Sequence, residues 1–513
     1  MNENILKNET IKNLISDLER RVKDNILEQN NFDFLLKLLS KAESVNEAIN
    51  ICSLGTTYKK TGLYFEKKSE KETELIHYLK KDENLSFDVG GEKHKLIIGD
   101  NYPALKNLLI EYRNKVDIIY IDPPYGMDEN GEFAKTNYEN RITRDNLLSM
   151  MYPRLELAKQ LLSSHGVIFC SIDDRNYAYL KCLFDDIFQE YNFINTMVWH
   201  SNKSIMKGSK YIRKDHEYIL VYAKNKNDGL FVFNKLANSM MFSNPDNDPK
   251  GPWFSSNATY KTNPESTNFY GIKLPNGETV YRTWRFSEKD YKMGKIPLYF
   301  NGSNVPRIKL YECDINKNTS IASTIIPDEK SGIINDAGTL TTAKTELNKI
   351  IKSNFETPKP VSLIKYLLEI AAKNNSIILD FFAGSGTTGE AVLAFNKETK
   401  SKCKFILVTN NEKGDFYPNG VAIDVTSKRL KRIMSGKCYD GFTDFEWIKK
   451  NSPYLNSLDV YRIETANVYD KNIFNKIDEN IYGENFGKNI RNKIDWVCKN
   501  FEQTTHVLPK EGN

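Results

Sequence analysis

The chain lacks the features that mark exported, membrane-embedded or metal-clustered proteins. No apolar run approaches the ~18 residues that a membrane helix needs, so no span is expected. The amino terminus, MNENILKNETIKN, has no basic-then-apolar export pattern, and the expectation is a cytoplasmic protein. The cysteines (Cys52, Cys170, Cys182, Cys313, Cys403, Cys438 and Cys498) are scattered without a C-x-x-C pair, which indicates neither a disulfide framework nor a zinc cluster. A strong excess of charge of one sign is missing too, with 72 Lys and Arg against 67 Asp and Glu. The net +5 permits an acidic partner such as nucleic acid without demanding one. Asp173 and Asp174 adjoin without a histidine or a third carboxylate, so no metal site is expected. Nor does the chain offer a Ser–His–Asp or nuclease constellation. What remains is a lysine- and asparagine-rich globular chain of 513 residues, long enough for two or three domains.

Within it, ILDFFAGSGTTGEAVLAFNK (378–397) carries three overlapping motifs. NSIILDFFA reads as a buried parallel strand, and TTGEAVLAFNK starts with a threonine cap candidate and continues with helical spacing. Strand, glycine turn and helix together let a backbone lie against a ligand at a helix N-terminus. A triphosphate P-loop needs Lys directly after its last glycine; this chain has Glu390, which would repel phosphates. A dinucleotide turn is spelled by Gly384, Gly386 and Gly389, and Glu412, after the strand KFILVTNNE, has about the spacing of a ribose-binding acid. From Phe382 the same letters give F-x-G-x-G-T, suited to S-adenosylmethionine, which has no pyrophosphate to cradle. That cofactor needs close backbone approach and acids at strand ends, and Asp380 and Glu412 fall there. The loop alone leaves these readings open beside a merely structural turn.

KVDIIYIDPPYG (115–126) is a second apolar strand, ending in Asp122-Pro123-Pro124-Tyr125. Neither proline can donate a ladder hydrogen bond, so a rigid strand exit would explain one of them and less easily the flanking acid and aromatic. Methylation of an exocyclic amine accounts for all four. The amine lone pair is conjugated with its ring. Accepting both amine protons, one on Asp122 and one on the Pro123 carbonyl, frees it, and Tyr125 offers a face for a flipped base. A preorganised carboxylate then stabilises the charge that builds on nitrogen.

D-P-P-Y together with F-x-G-x-G-T resembles the signature pair of the DNA amino-methyltransferases, in the permuted order of the β group. KLIIGDNYPALKNL is similar to that family's strand and acid for the cofactor's adenine (Asp100, Asn101). TPKPVSLIKYLLEIAA resembles the helix before the glycine loop, with Lys359-Pro360 at its entry, and VAIDVTSKRLKRIM resembles the closing segment. With NPDNDPKGPWFSSNATY and RTWRFS, the likeness is greatest to the modification subunits of type III restriction–modification systems. The resemblance implies an α/β, Rossmann-like S-adenosylmethionine-dependent sheet and catalytic residues Asp122, Pro123, Pro124 and Tyr125. It implies cofactor contacts from Asp100, Asn101, Lys359, Pro360, Asp380, Phe382, Ala383, Gly384, Ser385, Gly386, Thr387 and Glu412, with Gly389 completing the dinucleotide pattern by coincidence. Double-stranded DNA is the implied substrate, N6 of adenine the acceptor, a homodimer the assembly, and a separate helicase–nuclease restriction subunit the partner. The alternatives are a catalytically silent specificity subunit and an amino-methyltransferase acting on RNA or cytosine N4.

The expected organisation is a helical extension (1–88), a first catalytic part (89–225), a target-recognition insert (226–354), a second catalytic part (355–435) and an accessory or assembly segment (436–513). KKSEKETELIHYLKKDEN reads as a solvated helix. The insert is turn-rich and interleaves aromatics with Lys and Arg, which suits a DNA-reading surface. His165 and His216 are expected to be structural.

Overall fold

A computed structural model describes residues 75–125, 144–203, 212–226, 232–237, 242–301, 305–314, 319–326, 337–487 and 489–501, with parts of 11–52. The chain divides into two compact units, Met1–Lys67 and Lys68–Asn513. In the first, the helix Gln29–Leu39 contributes Phe32, Leu35 and Leu39 to a small core with Leu18, Ala42, Ala48 and Cys52, as its amphipathic pattern requires.

The second unit is built on a nine-stranded sheet. Its strands are β1 (Leu75–Lys81), β2 (Lys93–Ile98), β3 (Val116–Ile121), β4 (Leu162–Ile172), β5 (Phe193–Trp199) and β6 (Glu217–Ala223), then β14 (Ile377–Asp380), β15 (Lys404–Thr409) and β16 (Ser457–Asn467). Between β6 and β14 lie β7 (Leu236–Ala237), β8 (Trp253–Asn257), β9 (Phe269–Lys273), β10 (Thr279–Thr283), β11 (Leu298–Tyr299), β12 (Arg307–Tyr311) and β13 (Thr319–Ser320). The sheet order is β1-β16-β2-β15-β14-β3-β4-β6-β5; β16 through β4 run parallel, and the other neighbours antiparallel. The central strands are buried on both faces, which is why IILD, VDIIYI and KFILVT read as nearly continuous apolar runs. The two halves of the catalytic domain join because β14 pairs directly with β3, Ile378 opposite Ile118.

Two elements correct the expected organisation. Leu75–Lys81 is not a solvated helix but an edge strand, held by its antiparallel register with β16 (Leu75 opposite Asn467, Lys81 opposite Tyr461). Ser457–Asn467, expected in an accessory segment, is a strand inside the sheet, between β1 and β2. Tyr78 and Leu79, neighbours that point to opposite faces of the strand, are both buried, and pairing with β16 outweighs the charges of LIHYLKK.

The insert has its own small core of Ala258, Tyr270, Ile272, Trp284 and Phe286, enclosed by the β9–β10 hairpin and the β11-β12-β8 sheet. Its expected end at 354 overlaps the catalytic part. Leu347 and Ile350, on the helix Leu340–Ile350, belong to the same buried cluster as β2 and β3, and Trp199 Nε1 donates to the Gly338 carbonyl at 2.9 Å. No helix among the described residues is long and apolar enough to cross a membrane.

Candidate active site

β3 and β14 are parallel neighbours, so the segments leaving them emerge at the same carboxyl edge, where open α/β sheets hold ligands. Asp122-Pro123-Pro124-Tyr125 follows β3, and the glycine loop follows β14. Both line one pocket of about 320 Å³, with Glu217 at the start of β6, Lys359 and Glu412 in its wall.

The glycine loop is shaped by backbone that only glycine adopts without strain. Gly384 (φ +47°) and Gly386 (φ +79°) are left-handed, and Gly386 caps the helix Thr387–Thr399. Gly389 has a different reason to be glycine: a Cβ there would come 2.8 Å from Leu430 Cδ2, so its role is close packing of the helix. Asp380 ties the loop's ends together. Its Oδ1 accepts from the Phe382 amide at 3.0 Å and its Oδ2 from the Thr388 hydroxyl at 2.5 Å. Burial pushes its pKa up to about 7 against the restraint of those two hydrogen bonds.

Behind the loop stands a residue that sequence reasoning missed. Arg429, 1% exposed, donates through Nη1 to the Ser385 carbonyl (3.2 Å), Ser385 Oγ (3.2 Å) and Thr387 Oγ1 (2.9 Å). Its Nε and Nη2 both lie 2.8 Å from Glu390 Oε2. The acid that argues against a phosphate loop is thus the buried partner of an arginine that clasps the loop. Thr426 adds a hydroxyl bond to the Gly384 carbonyl at 2.6 Å. In sequence the only signal was a charged residue at each of two buried helical positions.

At the other wall, Asp122 Oδ1 accepts from Tyr125 Oη (2.9 Å) and Lys359 Nζ (2.9 Å). Glu217 Oε2 lies 2.8 Å from the same Tyr125 Oη and 3.3 Å from the same Lys359 Nζ. Burial raises the Asp122 pKa, with Lys359 opposing. For Lys359, burial presses downward, but Asp122 and Glu217 more than reverse it, so it remains an ammonium. Lys359 Nζ also sits 4.9 Å from the centre of the Tyr125 ring, and the Arg175 guanidinium carbon 5.8 Å from it. The Tyr125 carbonyl accepts from Asn176 Nδ2 at 2.7 Å, and Pro123 and Pro124 are buried, which fixes the turn.

The pocket wall includes Lys359, Asp380, Phe382, Ala383, Gly384, Ser385, Thr387 and Glu412 but not Asp100, Asn101, Pro360 or Gly386. Asp100 caps the helix Asn101–Tyr112, accepting from the Tyr102 amide at 2.7 Å, and pairs with Arg154 at 3.1 Å. Asn101 Nδ2 donates to the Phe381 carbonyl at 2.8 Å, linking that helix to the glycine loop. Pro360 caps the helix Val361–Ala371. Lys359, expected at the cofactor, lines the pocket and is paired there with the D-P-P-Y acid. Asp173 pairs with Arg175 at 2.7 Å, and among the described residues no group of His, Cys, Asp or Glu could hold a metal. His165 lies 3.3 Å from Asp117, and His216, the residue before Glu217, packs edge-on against Tyr218.

A DNA methylase family model matches residues 116–417, and a model of an uncharacterised conserved protein family matches 11–118. The chain is 29% identical over 462 residues to the type III restriction-modification enzyme StyLTI Mod subunit of Salmonella typhimurium, covering 82% of this chain and 68% of that one. It is 29% identical over 412 residues to the EcoPI Mod subunit of Escherichia phage P1, covering 66% and 62%. A solved PvuII DNA methyltransferase (cytosine-N4-specific) aligns at 11% identity with a TM-score of 0.34, over 67% of this chain and 89% of that one.

Proposed function

The chain belongs to the DNA methylase family, and from that premise we propose that it methylates N6 of adenine in double-stranded DNA, using S-adenosylmethionine, as the modification subunit of a type III restriction–modification system. The observation that carries this reading is the convergence of D-P-P-Y and the glycine loop on one pocket from adjacent parallel strands. The named relatives support the type III assignment. A homodimer working in the cytoplasm beside a separate restriction subunit is the assembly that goes with it.

The residues present fit the cofactor. Left-handed Gly384 leaves the loop backbone bare in the pocket wall, and Asp380 and Glu412 bring carboxylates to the ends of β14 and β15. S-adenosylmethionine, when bound, supplies an electrophilic methyl group. The chain's own work is on the acceptor. Asp122 and the Pro123 carbonyl take hydrogen bonds from the two amine protons, which draws the nitrogen lone pair out of conjugation. Tyr125 supports the flipped base, and its ring is held by Lys359 and Arg175. Lys359 keeps a negative charge on Asp122 tolerable in a buried site, so the carboxylate is in place as positive charge develops on nitrogen. Adenine is preferred over cytosine because the tetrapeptide begins with an acid, which in families resembling this one goes mostly with adenine.

Nucleoside mass spectrometry of DNA incubated with the protein and S-adenosylmethionine tests the reading. The expected product is N6-methyladenine. N4-methylcytosine alone would overturn the base assignment, and no methylated nucleoside on any double-stranded DNA would overturn the activity.

A further inference from the structure

Asp122 and Glu217 compete for the same donors. Tyr125 Oη is 2.9 Å from one carboxylate and 2.8 Å from the other, yet a phenol carries a single proton and can donate to only one of them at a time. The second contact becomes a hydrogen bond when that carboxylate is itself protonated and donates to the phenol oxygen. Lys359 likewise faces both, at 2.9 and 3.3 Å. One ammonium among two carboxylates leaves the cluster one negative charge in excess, which is room for one more proton.

The position of Glu217 sharpens the question. It is the first residue of β6, opposite Trp199 of β5, and only 7% exposed. A strand of that kind needs no acid there, and burying a carboxylate is costly unless it is paired. Methyl transfer to an amine also releases a proton. The N–C bond forms as the C–S bond breaks with its electron pair going to sulfur, and one N–H bond must then break.

We propose that Glu217 receives that proton from Asp122 through the hydroxyl of Tyr125, acting as a positioning residue that restores the catalytic carboxylate to its charged form. The inference rests on the amino-methyltransferase reading above. Asp122 takes the amine proton and presents it to the Tyr125 oxygen by a half-turn of its carboxyl group. Tyr125 passes its own phenolic proton to Glu217. At the end Asp122 is again an anion, Tyr125 is unchanged and Glu217 is neutral. Glu217 lines the open pocket, so its proton returns to water there. The charged and titratable groups facing this relay are Tyr120 on β3, Cys170 on β4, Lys359 before the helix Val361–Ala371, Asp173 and Arg175 after β4, and Asp380 on β14, on which the charge of Asp122 acts.

The test compares wild type, Glu217→Gln, Glu217→Asp, Tyr125→Phe and the double variant Tyr125→Phe/Glu217→Gln. Radiolabelled methyl transfer to DNA is followed across pH, with equilibrium binding of S-adenosylmethionine measured alongside. Glutamine keeps the shape and one acceptor oxygen but cannot take a proton. Glu217→Gln should lose roughly 100-fold in kcat, the scale of a proton-transfer contribution, with KM for DNA and cofactor affinity little changed. Glu217→Asp should recover part of the rate, and the double variant should be no slower than the slower single variant. Wild-type kcat and an unaltered pH profile in Glu217→Gln, or losses that multiply in the double variant, would overturn the relay. If Glu217→Gln no longer binds cofactor, Tyr125→Phe carries the test, and full activity in that variant overturns the proposal. A wild-type protein that transfers no methyl to DNA would instead remove the functional reading, and the relay with it.

Discussion

Lys359 and Asp122 come from opposite halves of the chain and meet with Nζ 2.9 Å from Oδ1, both largely buried. The contact joins the segment that precedes the glycine loop to the acid of D-P-P-Y. The Asp122 carboxylate, which the proposed reaction needs in its ionised form, is thereby given a fixed counter-charge in a place where burial alone would favour its neutral form.

Removing that acid separates chemistry from binding. Asp122→Ala leaves the glycine loop and its Arg429 clasp untouched, so S-adenosylmethionine affinity should stay close to wild type. Methyl transfer should fall by several orders of magnitude, because the lost interaction strengthens as the transition state forms. Equilibrium dialysis and a radiolabel transfer assay measure the two quantities. A near-normal rate would show that Asp122 has no role in activating the amine.

Arg429 and Glu390 offer a test of how the loop is held. Arg429→Met leaves Glu390 buried without its cation and should destabilise the protein by about 3–5 kcal/mol, with a large loss of cofactor affinity. Adding Glu390→Gln should recover much of the stability but little of the affinity, since the bonds to Ser385 and Thr387 remain missing. Urea unfolding and cofactor titration of the single and double variants separate these effects. A double variant no more stable than Arg429→Met would mean that the ion pair is not what holds the two helices.

The Asp380 carboxyl predicts a pH dependence of stability. Its folded pKa of about 7 lies above the ordinary 3.8, so the folded chain favours the protonated form. The contribution is fully present below about pH 4 and is lost as the pH rises through 7. Asp380→Asn cannot ionise. The stability of wild type relative to this variant should therefore fall by up to a few kcal/mol between pH 4 and 7 in cofactor-free protein. Urea unfolding at a series of pH values measures that difference, and a flat one would refute the assignment.

In the insert, the Arg285 guanidinium carbon lies 4.9 Å from the centre of the Tyr260 ring, and Tyr260 is exposed. If this face meets the DNA backbone, Arg285→Ala should weaken binding to all sequences alike and reduce the slope of log affinity against log salt by about one. Replacing the part of the insert that has its own core (242–314) with that of a relative should change which site is methylated while leaving kcat in place, since Leu347 and Ile350 stay in the catalytic core. Arg285→Ala binding with an unaltered salt slope would take Arg285 off the phosphate contacts, and a swap that kept the original site would move recognition outside that part.

The sequence by itself determined the chemistry-bearing motifs and the strands that carry them. VDIIYI, SIILD and KFILVT are runs whose apolarity follows from burial on both sheet faces, and D-P-P-Y and the glycine loop are contiguous stretches whose constraints are local. Tertiary structure alone decided the partners. Glu217 begins an ordinary-looking strand, and nothing in HEYILVYA says that its carboxylate will face Tyr125 and Lys359. Arg429 and Glu390 each look like a surface charge on a helix until packing brings them together. The same holds for LIHYLKK, whose lysines and histidine suggest a solvated helix. Its strand is chosen by pairing with Ser457–Asn467 some 380 positions away, and that pairing exists only once the sheet has formed.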